Sequence, residues 1–169
     1  KNKTLPQPNR NLAIAEWVFP NGKRADYALF IGENLYGVVE AKKWENDISQ
    51  DLRQSRLYSQ YAMEQENYLL GEWLQFGVPF VFSTNGRPYL EQMKTKSGIW
   101  FLDLRQERNQ ARPLRGWFTP DGLKELFDID RVVFDKKLLT SDAKYLQSKN
   151  GLGLRDYQMT AIQAVEKKI

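Results

Sequence analysis

Cysteine is missing from all 169 residues, and so is histidine. The first absence excludes disulfides, thiolate zinc sites and cysteine nucleophiles. The second removes the commonest general base and the familiar triads built on it. Any catalysis must draw on carboxylates, lysine, tyrosine or a cation held by oxygen ligands, and hard cations such as Mg²⁺ fit that inventory. No run of about 18 apolar residues occurs, so no segment is expected to span a membrane. No signal-peptide pattern opens the chain, and Lys1 in place of methionine points to a start cut from something longer. The lack of cysteine fits a cytoplasmic protein.

What is present supports a folded domain. Hydrophobic residues at 41% and aromatics at 13% suffice for a packed core, and the length favours one domain. Lysine and arginine number 25 against 21 acids, for a net charge of +4. That balance is compatible with nucleic acid but speaks of association, not of fold. The stretch from Lys94 to Arg115 is more basic, with Lys94, Lys96, Arg105, Arg108, Arg112 and Arg115 against Asp103 and Glu107. It reads equally as a solvated loop or subunit contact and as a surface facing phosphates.

Residues 12–19, 25–31 and 35–42 read as three successive strands. Asn21-Gly22 turns the first into the second, and Gly32 with Glu33-Asn34 makes the next connection. The spacing of Ile48, Leu52, Tyr58, Tyr61 and Ala62 predicts a helix over 46–65, with Asp47 and Asp51 in an acidic first turn. A second helical piece is expected over 67–76, and strands over 78–83, 87–92 and 99–104. Thr119-Pro120-Asp121 opens a short helix with threonine as cap and proline at its first position. From about residue 136 the chain reads as helical, interrupted at Gly151-Leu152-Gly153. Strands interleaved with helices on both sides of a sheet make this an α/β domain.

One constellation carries chemistry. Strand alternation sets Glu40 and Lys42 on the same face at the end of the third strand. Asp26 opens the neighbouring strand and can approach Glu40 across the sheet. Two carboxylates converging there make a reasonable site for a divalent cation acting on a phosphodiester, with Lys42 placed to orient or deprotonate an attacking water. The tripeptide alone is weak evidence, because acid-x-Lys also occurs at Asp135–Lys137, Asp142–Lys144 and Glu166–Lys168. Of these, Asp135 follows a short apolar run but lacks a hairpin bringing a second acid. Gln54 and Tyr58, four apart, share one face of the following helix. A tyrosine there is ordinarily a core residue, but its place beside the hairpin gives it a second role.

Together, Asp26, Glu40-Ala41-Lys42 and Gln54…Tyr58 resemble the PD-(D/E)xK nuclease superfamily in its RecB-like branch. The segments GKRADYALF, LYGVVEAKK, DLRQSRLYSQYA and GVPFVFSTNGRPY are similar to the N-terminal nuclease domain of type I restriction enzyme R subunits, closely over residues 12–90 and more loosely beyond. The resemblance implies a restriction-endonuclease-like central mixed sheet flanked by helices, with residues 1–135 as the endonuclease domain. It implies Asp26, Glu40 and the Ala41 backbone carbonyl as Mg²⁺ ligands, and Lys42 as the catalytic lysine. Gln54 and Tyr58 would contact DNA or order the active-site helix. Leu154-Arg155-Asp156-Tyr157-Gln158 resembles the segment that opens a superfamily-2 helicase or translocase, where Arg155 and Gln158 would meet a nucleotide. Residues 136–169 would then be a helical linker running into such a motor.

The implied partners are double-stranded DNA and, in the longer parent, methyltransferase and specificity subunits. ATP would serve that parent alone, because no Gly-rich phosphate loop with Lys-Ser/Thr is present. An acidic residue from a preceding helix, frequent in the family, is also absent; Glu16 on the first strand is a candidate substitute, although a solvent-exposed strand position is the plainer reading. Two other readings stay open, a repair or recombination nuclease of the same class and a noncatalytic docking module of the same fold.

Overall fold

Strand-forming residues and glycine turns build the first half of the sheet. The computed structural model describes residues 2–48, 52–64, 66–129, 144–148 and 152–166. Strands β1 (Asn11–Val18), β2 (Arg24–Ile31) and β3 (Asn34–Ala41) form an antiparallel meander. Gly22 and Gly32 take φ of 80° and 61° at its two turns, a conformation that would strain most side chains. Phe19 N–H donates to the Lys23 carbonyl at 2.8 Å and closes the first turn. Between β2 and β3 the register slips at Leu29/Phe30, so Tyr36 is an extra residue that adds twist.

Helix α1 (Leu52–Tyr61) then carries the chain over to β4 (Phe80–Thr84), which runs parallel to β3. Strands β5 (Ile99–Asp103) and β6 (Arg112–Leu114) add on antiparallel, giving a six-stranded sheet in the order β1-β2-β3-β4-β5-β6. The sheet is mixed and flanked by helices, the α/β architecture of a restriction-endonuclease-like domain.

A row of apolar residues crosses five strands in register: Ile14, Ala28, Val38, Val81 and Leu102. All five belong to the core that Leu52, Tyr58 and Ala62 cover. Two buried serines let α1 sit close to the sheet. Ser55 Oγ donates to the Phe82 carbonyl at 2.8 Å, and Ser59 Oγ does the same to Val78 at 2.8 Å. Gly37 is required on β3, since an added Cβ would meet the Phe82 ring at 3.0 Å and the Phe80 carbonyl at 3.3 Å. At one edge Trp17, Phe30 and Tyr68 meet edge to face, with ring centroids 4.8–5.8 Å apart.

Several expectations need correction. The described helix begins at Leu52, not at Asn46, and its first turn holds no acid. Ile48 N–H instead donates to the Thr95 carbonyl at 2.9 Å, a long-range bond that draws this backbone away from a helix. Asp51 lies outside the described residues. The piece over 67–76 is not a helix. A single 3-10 turn (Glu66–Tyr68) leads into a tight loop where Trp73 and Phe76 exchange backbone bonds, with Leu74 at φ 56°. Its apolar spacing serves loop residues such as Tyr68, Leu69 and Phe76 that pack on the core. Residues 87–92 form no strand but a loop and the turn Glu91–Met93, because the Ser97 hydroxyl takes the Leu90 N–H and Pro88 has none to give. Strand β6 was not expected at all.

Helix α2 (Pro120–Asp128) opens as its sequence predicts, with Thr119 Oγ1 accepting the Gly122 N–H at 3.0 Å. The chain divides into two compact units, Lys1–Lys124 and Glu125–Ile169. In the second, helices α3 (Lys144–Gln147) and α4 (Asp156–Glu166) flank the expected break. The boundary expected at 135/136 lies outside the described residues.

Candidate active site

Where the β2–β3 ladder ends, side chains take over the hydrogen bonding. The last paired neighbours on this side are Tyr27 and Val39, and one residue further stand Asp26 and Glu40. Asp26 Oδ2 accepts the Ala41 N–H at 2.6 Å, a short charge-assisted bond that fixes this carboxylate against β3. On the far edge of β3, Lys42 N–H donates to the Thr84 carbonyl of β4 at 2.7 Å. The intervening peptide is trans, so the Ala41 carbonyl points opposite to that N–H, away from β4 and toward the Asp26 side. The structure thus brings the Asp26 carboxylate and the Ala41 carbonyl to one edge of the strand end.

Glu40 is 7% exposed and its two oxygens differ. Oε1 accepts from the Lys42 ammonium at 2.8 Å, a pair shielded from solvent on both sides. Oε2 is buried with no hydrogen-bond partner among the described residues. A buried acceptor left unmade costs about 1–3 kcal/mol, and more when charged. The fold therefore carries this group at a cost to stability, as sites that receive something else commonly do.

Helix α1 lays Tyr58 over the same region. Burial and then the neighbouring Glu40 carboxylate push the Tyr58 phenol well above its ordinary value, against a smaller opposing effect from Gln54. Gln54 Nε2 donates to that phenol oxygen at 3.0 Å. Phe19 stacks on the Tyr58 ring at 6.1 Å and fixes it from the end of β1. Gln54 and Tyr58 are thus coupled to each other and, through Tyr58, to Glu40.

The oxygen donors here suit a small hard cation. Two carboxylates and one carbonyl match the way Mg²⁺ is usually held, by few protein ligands with water and substrate phosphate completing the shell. No group of three or more acidic, histidine or cysteine side chains able to hold a metal occurs among the described residues. Glu16 does not join the site; it pairs with Arg24 at 2.6 Å on the surface. The other three acid-x-Lys copies each include a residue outside the described set. In the second unit, Gln158 Oε1 accepts the Arg155 N–H at 2.9 Å, so both residues cap the start of α4.

Most arginines of the basic stretch engage the chain itself. Arg105 binds Asp103 and lies over Phe80, Arg112 lies over Phe101, and Arg115 sits over Tyr89. Two further residues matter locally. Asn85 Nδ2 contacts the carbonyls of Trp44, Asn46 and Lys96 at 3.0–3.2 Å and gathers the loop that follows Lys42. Ser83, fully buried, is the register partner of Glu40 on β4. A polar residue closing an apolar strand was the signal available for Ser83.

Comparison with known proteins shows the family of the chain. Residues 1–127 match the family described as the second domain of the type I restriction enzyme EcoKI endonuclease subunit. The chain belongs to that type I restriction endonuclease-subunit family. The EcoKI endonuclease subunit of Escherichia coli (strain K12) is 34% identical over 195 residues, covering 97% of this chain. The chain spans only 16% of that relative's length. No solved structure gives a significant match.

An apolar groove of about 430 Å³ is lined by Ala13, Leu29, Val39, Trp117, Phe118 and Leu123. It lies away from Glu40. No helix among the described residues is long and apolar enough to cross a membrane.

Proposed function

We propose that this domain is the metal-dependent DNA-cleaving part of a type I restriction endonuclease subunit. The observation that carries the reading is the buried Glu40 carboxylate, half paired with Lys42 and half unsatisfied, beside the anchored Asp26. Asp26, Glu40 and the Ala41 carbonyl would hold Mg²⁺. When bound, the cation supplies Lewis-acid polarisation of the phosphodiester and neutralises charge that builds on its oxygens.

The remaining work falls to side chains. Lys42, kept at 2.8 Å from Glu40, presents a positive charge toward the phosphate and orients the attacking water. Tyr58 stays protonated and, with Gln54, orders the helix beside the acids or contacts DNA. Recognition of a sequence would fall to a specificity subunit and modification to a methyltransferase subunit. ATP-driven translocation would fall to a motor, toward whose nucleotide Arg155 and Gln158 would turn.

Titration with Mg²⁺ and Mn²⁺ by calorimetry tests this, for the wild type, Asp26→Ala and Glu40→Ala, with and without a DNA duplex. Binding lost in both variants, with circular dichroism unchanged, is expected. Equal binding by all three would move the site elsewhere. No binding by the wild type, even with duplex present, would leave a docking module as the better reading.

A further inference from the structure

We infer that Ser83 is a positioning residue of the cation site, its hydroxyl holding the Glu40 carboxylate in the orientation that a cation needs. The inference rests on the proposed function and extends it to a residue outside the motif. Glu40 and Ser83 are register partners across the one parallel pair in the sheet, β3 and β4. Alternation puts both on the same face as Val38 and Val81, the face that α1 covers.

Two unsatisfied groups stand on neighbouring register positions there. Among the described residues Glu40 Oε2 is buried without a hydrogen-bond partner, with the Tyr58 phenol beside the carboxylate, and Ser83 Oγ, on a residue 0% exposed, also has none. A hydroxyl is a donor as well as an acceptor, and a carboxylate only accepts. Each group lacks what the other offers, and a turn of the Glu40 carboxylate or one shared water would join them. The buried serines of α1 behave differently: Ser55 donates to the Phe82 carbonyl of β4 and Ser59 to the Val78 carbonyl just before that strand. Ser83 is thus the serine left over for Glu40.

The alternative is that Ser83 is merely small enough to fit beneath α1. The two cases predict opposite behaviour. A buried hydroxyl with no task destabilises, so its removal would raise stability and leave cation affinity alone. A hydroxyl that orients a ligand behaves like other outer partners of metal sites, whose loss weakens affinity about 10- to 100-fold.

The test is Mn²⁺ titration in the presence of a DNA duplex on the wild type, Ser83→Ala, Ser83→Thr, Asp26→Ala and Glu40→Ala, each followed by urea unfolding. Ser83→Ala is expected to bind Mn²⁺ about 10-fold more weakly with its fold intact. Ser83→Thr, which keeps the hydroxyl, should retain the affinity. Wild-type affinity in Ser83→Ala with a higher unfolding midpoint would overturn the inference, as would loss of the fold in that variant. If Asp26→Ala and Glu40→Ala alone lose Mn²⁺, the inference fails and the proposed function stands. If all five proteins bind alike, the proposed function falls with it.

Discussion

Two acid–base pairs stand at strand ends in this sheet, each with a single residue between acid and base. At the end of β5, Asp103 is 3% exposed and fully used. Its Oδ1 accepts Arg105 N–H and Nε–H at 3.0 Å, its Oδ2 accepts from Nη2 at 2.9 Å, and the guanidinium lies over the Phe80 ring. At the end of β3, Glu40 is nearly as buried, yet Oε1 has Lys42 while Oε2 has no hydrogen-bond partner among the described residues, with only the shared Tyr58 phenol beside the carboxylate. Burial and charge are common to both pairs. Saturation separates them: the satisfied pair closes a strand end, and the unsatisfied one has capacity left for a ligand. A rigid guanidinium fork suits the first role and a single ammonium the second.

The strongest way to break this contrast is through activity. Within the intact endonuclease subunit, Glu40→Gln is expected to lower DNA cleavage on the order of 10³-fold, the scale seen when one electrostatic stabiliser of a transition state is removed. Asp103→Asn should leave cleavage per folded molecule unchanged. Equal losses in a plasmid-cutting assay would erase the distinction.

Stability should show the reverse order. Asp103→Ala strands a buried guanidinium and is expected to cost about 3–5 kcal/mol in urea unfolding. Glu40→Gln removes a charge that is only half compensated, so its cost should fall well below that of Asp103→Ala. A larger loss in Glu40→Gln would mean that Glu40 holds the fold, not a ligand.

A smaller effect sharpens the role of α1. Tyr58→Phe keeps the ring against Phe19 but removes the acceptor of Gln54, and should slow cleavage about 10-fold, as loss of an outer partner does. Unchanged kinetics would reduce Tyr58 to a core residue. The smallest effect concerns pH. Because the folded phenol is raised above its ordinary 10.0, its contribution to stability is fully present below pH 10.0 and is lost as the pH rises beyond that value. Tyr58→Phe should flatten that alkaline decline, measured by unfolding between about pH 9 and 11.

Legibility in the sequence followed the range of the interactions. The β1–β3 meander could be read because alternation and Gly22 and Gly32 act between near neighbours. Asp26, Glu40 and Lys42 could be placed together because one hairpin joins them. The loop over 67–76 could not, since Tyr68 and Leu69 take their positions from the core and not from their own spacing. Strand β6 was hidden for a similar reason: Arg112 and Leu114 pair with Phe101 and Ile99 across an intervening loop. The basic run from Lys94 to Arg115 reads as one patch in sequence, but the fold spreads its arginines over Asp103, Phe80, Phe101 and Tyr89.

The sequence by itself determined which chemistries are open, since a chain without cysteine or histidine has only oxygen ligands and lysine near its acids. It also determined the hairpin that carries them, because alternation and turn residues act locally. Tertiary structure alone decided which buried acid is satisfied and which is not. Asp103 and Glu40 look alike in one dimension. What distinguishes them is the neighbour that each strand receives from elsewhere: Asn109 and Phe80 around the Asp103–Arg105 pair, and Ser83 in register with Glu40 and the raised Tyr58 phenol beside it. Hydrogen bonds across a parallel pair and under a crossover helix depend on register and packing, and no local pattern encodes either.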